Sequence, residues 1–197
     1  MAMPAQVPLL TAAQVERVSI PGKQVELVRG SLVVREPPGS WHGSIAAELL
    51  GVMREFVRRH SLGIVFAQDT GFKIAADPDT VRGADVAFVG RDRMHLIPRR
   101  GYAELAPDLV AEILSPDDRP GELLAKVGDW LSGGTRLVWV IDPRAAEPPG
   151  PRGRVVPAAT VYRADGTLSV LGVDEALDGE QVLPGFSSGL RDILNPY

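Results

Sequence analysis

No cysteine occurs among the 197 residues. Disulfide frameworks, thiolate zinc sites and cysteine nucleophiles are thereby excluded. Long apolar runs are missing as well. The longest stretches, such as Leu137–Ile141, fall far short of the ~20 residues needed to cross a bilayer. Met1 to Thr11 hold no basic region followed by an apolar segment, so no secretory signal is expected there. Aromatic residues are sparse, at 6%, which disfavours the aromatic-lined cleft of a glycosidase. The three histidines, His42, His60 and His95, lack the spacing of zinc ligands, and His42 reads as capping or packing at a helix start. Phosphate loops and dinucleotide fingerprints are also absent. Gly185-Phe-Ser187-Ser-Gly189 matches the nucleophile-elbow string, but every histidine precedes Ser187, against the chain order Ser, Asp, His of that hydrolase site.

What remains is ordinary for a soluble globular protein: 45% hydrophobic and 23% charged residues. The length suits a single domain spanning 1–197, which buries roughly 70% of its unfolded surface. A soluble, cytoplasmic protein without membrane contact is expected. The net charge of -4 argues against coating nucleic acid by bulk charge, yet local fields decide such contacts. Two basic clusters stand out: Arg54, Arg58, Arg59 and His60, then Arg91, Arg93, His95, Arg99 and Arg100. They are either solvated surface or phosphate contacts, with Arg54, Arg58, Arg99 and Arg100 the nucleic-acid-binding candidates.

Periodicity gives an α/β order. Thr11 to Gln14 fits a capping box opening a short helix. Val25–Val28 and Ser31–Val34 read as a hairpin around Arg29-Gly30. Ser40 can cap a long helix to about His60, with Ile45, Leu49, Val52 and Phe56 on its buried face. Strands are expected at Ile64–Ala67, Gly71–Ile74 and Ala84–Val89, the last with Asp85 near its start. Arg91–Gly101 is basic and irregular. Leu109–Leu114, a helix from Pro120 to about Ser132, and Leu137–Ile141 form a strand-helix-strand unit with parallel strands. The helix buries Leu123, Val127, Trp130 and Leu131, and Gly133-Gly134 ends it. Arg144 to Pro157 reads as a loop. Asp165-Gly166 joins a hairpin of Ala159–Tyr162 and Leu168–Leu171. Pro184-Gly185 is a turn before a short helix near Leu190. Trp130 and Trp139 read as core, whereas Trp41 sits where it can be exposed.

Glu112 is the most informative residue. A carboxylate inside Leu109-Val-Ala-Glu112-Ile-Leu114 is costly unless paired, hydrogen-bonded or bound to metal. Asp108, four positions earlier, projects from the same strand face. Asp85 opens another apolar strand. Carboxylates at the ends of adjacent central strands make an oxygen site for Mg²⁺; alternatively, Asp85 and Asp108 cap turns and Glu112 pairs with a buried cation. Lys126 borders the buried face of its helix and can reach Glu112, or it forms an i, i+4 pair with Glu122.

Val81 to Val89, Ala106 to Pro116 and Lys126 to Pro143 together resemble the Uma2 family, a bacterial group of restriction-endonuclease-like proteins. Glu26 to Gly30, His42 and Leu177 to Phe186 share the likeness, which spans about Val25 to Leu194. That family is placed in the PD-(D/E)XK nuclease superfamily. The resemblance implies a restriction-endonuclease-like mixed central β-sheet flanked by helices. It implies Asp85 as the "PD" aspartate and Glu112 as the second acid. Many such enzymes carry lysine two positions after that acid; here Leu114 stands there, and the resemblance assigns the lysine's place to Lys126. Ala84 replaces the usual proline. Glu48, on the long helix, is a further candidate carboxylate, or a solvent-exposed helical residue.

The expected activity is metal-dependent hydrolysis of DNA phosphodiesters. Asp85, Glu112 and the backbone carbonyl of Ile113 would hold Mg²⁺ or Mn²⁺, and Lys126 would orient water or stabilise phosphate charge. The alternative is an inactive nuclease fold that binds nucleic acid or protein. A homodimer would suit duplex cleavage.

Overall fold

The computed structural model describes residues 8–148 and 156–195. Thr11 opens α1 (Ala12–Val15) with the expected capping box: its hydroxyl accepts from Gln14 N–H, and the Gln14 side chain accepts from Thr11 N–H at 2.8 Å. β1 (Gln24–Val28) and β2 (Ser31–Arg35) form an antiparallel hairpin. Its turn places Arg29 and Gly30 at φ 48° and 77°, the pair of positive values that matches strand twist in a two-residue hairpin.

α2 (Ser40–His60) follows. Gly39 rather than Ser40 is its N-cap, and Ser40 is already helical. The buried stripe runs Ile45, Leu49, Met53, Val57. Val52 and Phe56, expected on that face, flank it half-buried. β3 (Gly63–Phe66) and β4 (Thr70–Ala75) come next.

The single strand expected at Ala84–Val89 is two strands in different sheets. β5 (Thr80–Ala84) and β6 (Val86–Gly90) meet at Asp85. A 3₁₀ turn at Arg91–Leu96 leads on to β7 (Leu109–Ile113), α3 (Pro120–Gly133) and β8 (Leu137–Ile141). Pro120 occupies the first turn of α3, where its missing N–H costs nothing. Gly134, at φ 111°, closes the helix in the left-handed conformation that favours glycine. After a 3₁₀ turn at Pro143–Ala146, the chain builds β9 (Ala159–Arg163), β10 (Leu168–Leu171), β11 (Ala176–Asp178), β12 (Ser187–Gly189) and α4 (Leu190–Leu194). Residues 149–155 of the expected loop, and residues 1–7 of the N-terminal segment, lie outside the described part.

The central sheet has six strands in the order β10-β9-β8-β7-β6-β3. β7 and β8 pair in parallel and every other neighbour is antiparallel, so the sheet is mixed, as expected. A second, antiparallel sheet runs β2-β1-β5-β4. Side chains alternate across the central sheet. Val86, Phe88, Leu109, Ala111, Ile113, Leu137, Trp139 and Ile141 join the core under α2. Ala87, Val89, Val110, Val138 and Val140 join the core under α3, with Phe72 and Ile74 of β4. Covering on both faces is what lets β7 and β8 be almost wholly apolar.

Candidate active site

Position 112 shares the strand face of Val110, so Glu112 points at α3. Two residues one helical turn apart on α3 meet it there. Lys126 Nζ donates to Glu112 Oε2 at 2.8 Å, and Trp130 Nε1 donates to Oε1 at 2.7 Å. The partner of Lys126 is therefore Glu112 and not Glu122. Trp130 is fully buried and serves both as core and as donor.

β1 brings a third carboxylate. Glu26 Oε1 lies 3.6 Å from Lys126 Nζ and accepts Gly83 N–H at 3.0 Å. Its Oε2 accepts Arg82 Nη1 at 2.8 Å. Arg82 also donates through Nε and Nη2 to Asp129 Oδ2, at 3.0 and 2.6 Å. Buried charges persist only when paired and hydrogen-bonded in this way. The Arg82 and Lys126 charges outweigh the effect of burial and hold Glu26 below the usual carboxylate range.

Asp85 enters from the break between β5 and β6. The antiparallel register pairs Val86 with Ala111, so one step further Asp85 comes alongside Glu112. Its Oδ2 accepts Ile113 N–H at 2.7 Å, and its Oδ1 accepts Gln68 Nε2 at 3.3 Å. His42, buried on the first turn of α2, places Nε2 3.2 Å from Asp85 Oδ2. Burial opposes a charge on His42, but its hydrogen bond to Asp85 and that carboxylate's charge win, so it titrates above its ordinary value. Burial, then the neighbouring Asp85, push Asp69 up.

Glu112 has the most perturbed carboxyl. Burial raises it, Lys126 pulls it down and Asp85 pushes it up again, leaving it at about 7. Lys126 is held firmly as a cation: Glu112, Glu26 and Asp85 more than offset its burial. The result is one buried ammonium among acids, beside a carboxyl that changes charge near neutrality.

The remaining candidates fall elsewhere. Asp108 sits at the opposite end of β7, buried, accepting Gly90 N–H and Arg93 Nη1, both at 2.8 Å. It fastens the loop after β6. Glu48 is half-buried on α2, with no ion-pair or hydrogen-bond partner among the described residues. Arg54, Arg58, Arg99 and Arg100 are exposed, and none contacts the cluster. A cavity of about 720 Å³ lies by Asp108, Arg91, Arg93 and Arg136 and touches none of Glu26, Asp85, Glu112 or Lys126.

Roles for Glu26, Arg82, Gln68 and Asp129 have no counterpart in the sequence reading. The signal for Glu26 was its place in the Glu26 to Gly30 segment that shares the family likeness; for Arg82, its place three residues before Asp85.

The donor set suits a hard divalent cation. Asp85 and Glu112 bring two carboxylates together, and the charge of Asp85 raises the cost of charge on Glu112. Among the described residues no group of three or more His, Cys, Asp or Glu side chains is placed to hold a metal ion. Mg²⁺ keeps several of its waters and is held by one or two carboxylates, so a smaller set serves it. Each carboxylate has about four lone-pair positions, which leaves room beside the existing hydrogen bonds.

Comparison with known proteins agrees with this architecture. The model of the Uma2 family, described as "Putative restriction endonuclease", matches residues 12–193. A crystal structure from Anabaena variabilis, described as "a putative nuclease", superposes with a TM-score of 0.74 at 20% identity, covering 94% of this chain and 97% of that one. That likeness shows a shared fold. No curated protein matches the chain.

Proposed function

Because the chain belongs to the Uma2 family, we propose that it is a metal-dependent endonuclease that hydrolyses DNA phosphodiesters at the Asp85/Glu112/Lys126 cluster. One observation carries the reading: the Lys126 amine 2.8 Å from a buried glutamate that lies alongside a second carboxylate. Asp85 and Glu112 would hold Mg²⁺ or Mn²⁺, with the Ile113 carbonyl beside them. When bound, the ion polarises the phosphodiester and lowers the pKa of a nearby water.

The chain's own residues do the rest. Ile113 N–H and Gln68 fix the rotation of the Asp85 carboxylate. Trp130 fixes Glu112 through Oε1. Lys126, clamped between Glu112 and Glu26, stays charged and stabilises negative charge as it builds on the phosphate. Arg82 and Asp129 keep Glu26 in place.

Both Glu112 oxygens already hold a donor, which favours the second reading, an inactive nuclease fold that only binds. Cleavage of labelled DNA with and without Mg²⁺ or Mn²⁺ decides between them, run on wild type and on Asp85→Ala, Glu112→Ala and Lys126→Ala. Metal-dependent cleavage lost in all three folded variants supports the nuclease. An inactive wild type whose metal binding does not depend on Asp85 and Glu112 leaves the binding module.

A further inference from the structure

We propose that the cavity at the Asp108 end of the central sheet binds a small organic phosphate of about nucleotide size, apart from the carboxylate cluster. Asp108 and Glu112 stand four positions apart on extended chain, roughly 13 Å at ~3.3 Å per residue. Gly90, which lines the cavity, ends β6, whereas Asp85 precedes its start. The cavity measures about 720 Å³. Sites for small molecules span ~300–1,000 Å³. Arg91 and Arg93, from the 3₁₀ turn after β6, and Arg136, just before β8, all line it. Their commitments differ. Arg93 is used within the protein: it pairs with Asp108 and donates to the Ala106 carbonyl at 2.9 Å. The other Asp108 oxygen accepts Gly90 N–H, so that carboxylate is occupied too. Arg136 gives one N–H to the carbonyl of Gln181, itself a lining residue, at 3.0 Å. Arg91 has no ion pair or side-chain hydrogen bond among the described residues.

The main chain of both uncommitted arginines is fixed. Arg91 N–H donates to the Leu62 carbonyl at 2.8 Å, and Arg136 N–H to the Asp108 carbonyl at 3.1 Å. Less ordering is then left for a ligand to bring about. Arg91 and Arg136 face one unpaired carboxylate at the cavity, that of Asp92, which leaves a positive charge in excess. α2 ends at this rim in Ser61, and Arg58, Arg59 and His60 in its last turn offset the negative pole of the helix. A guanidinium is a planar fork of donors that fits phosphate oxygens in pairs. Leu62, Phe88, Val182 and Pro184 add an apolar wall, which a bare inorganic ion would leave uncovered and an organic body would cover. A nucleic-acid strand is the other source of phosphate. It calls for cations spread along its path, whereas here one excess charge sits in a concave site, and that favours the small molecule.

Calorimetric titration of the whole protein in EDTA tests this, with adenosine monophosphate, phenyl phosphate, inorganic phosphate and adenosine as probes. The two organic phosphates should bind, inorganic phosphate more weakly, and adenosine not at all. Arg91→Ala and Arg136→Ala should each weaken binding about tenfold, as expected for losing a hydrogen bond between charged groups, with Arg91→Lys recovering part of the loss. Lys126→Met, which removes the cation of the carboxylate cluster, should leave the affinity unchanged. Arg91 is exposed and unpaired, so its variants should unfold in urea as wild type does. Failure of both organic phosphates to bind at millimolar concentration overturns the proposal, and so does wild-type affinity in either alanine variant. Inorganic phosphate binding as tightly as the organic probes also overturns it, because the apolar wall then holds nothing. An oligonucleotide with a terminal phosphate that binds more tightly than adenosine monophosphate, and loses that affinity in Arg91→Ala, replaces the small molecule by a strand. Each of these results leaves the reading of the carboxylate cluster standing.

Discussion

Lys126 reaches Glu112 from a different element, its Nζ 2.8 Å from Oε2 across the gap between α3 and β7. Two positions after Glu112, just past the end of β7, stands Leu114, half-buried against the core under α3. The helix supplies the cation that the strand does not. Because Trp130 lies one turn beyond Lys126, the same helical face delivers a donor to each oxygen of one carboxylate.

Replacing Lys126 by methionine keeps the stem and removes the charge. Cleavage should fall by roughly 10² to 10³, the usual cost of losing a donor to developing charge. Breaking a buried pair also destabilises, by about 3–5 kcal/mol. Initial rates, with urea unfolding in parallel, separate the two effects. Activity within about threefold of wild type would remove Lys126 from the chemistry.

The Glu112 carboxyl, raised to about 7, fixes a pH dependence whose sign is determined. The protonated form is favoured in the folded state, so this contribution to stability is full below pH 4.5 and is lost as pH rises through about 7. Glu112→Gln, locked in the neutral shape, should lose less stability than wild type between pH 5 and 8, read by urea unfolding (the range is approximate). The ionised form is the one that accepts a divalent cation. Metal affinity should therefore climb through about pH 7 with proton release, measured by calorimetry in buffers of different ionisation enthalpy. Glu112→Gln should abolish that release.

Glu26 has the opposite sign. Held below its ordinary value of 4.5, it contributes stability above that pH and loses it as pH falls through the folded-state value. Arg82→Leu leaves Glu26 and Asp129 without their guanidinium and should cost about 3–5 kcal/mol near pH 7. The deficit should shrink toward pH 3 (roughly), once the carboxylates are protonated in both states. Denaturant midpoints at the two pH values check this; an equal deficit at both would mean that packing and not charge holds the pair.

Glu112 was legible in the sequence because a carboxylate interrupts an apolar run; β7 and β8 were legible as short apolar runs, and α3 by its buried face between Pro120 and Gly133-Gly134. Asp85 was found, but not its setting. Thr80–Ala84 offers only Val81 and Ala84 as apolar residues around Arg82 and Gly83, so the extra strand left no alternating signature. Glu26 was hidden for the converse reason. In Gln24–Val28 the apolar Val25, Leu27 and Val28 surround it, and a polar residue on an alternating strand reads as solvent-facing. Only the packing of α3 against both sheets turns that face inward. The arginine clusters were chosen by density along the chain, whereas Arg35 and Arg119 adjoin the site through folding and stand alone in sequence. β11 and β12, three residues each, are too short to carry a period.

The orientation of Asp85 gives the last test. Its carboxylate is held by a backbone donor, a side-chain amide and His42, from three different elements. Groups that orient a metal-binding carboxylate without touching substrate contribute about 10- to 100-fold in affinity or activity. Gln68→Ala removes only the 3.3 Å amide contact, the longest of the three. It should sit at the low end, about tenfold, with Mn²⁺ affinity and cleavage rate falling together. His42→Ala removes a buried ring as well and should lower both further, while His42→Asn keeps a donor and recovers part of the loss. Should Gln68→Ala lower cleavage while Mn²⁺ affinity stays at the wild-type value, the amide acts on something other than the carboxylate. A substrate phosphate is then the nearest chemistry left to it.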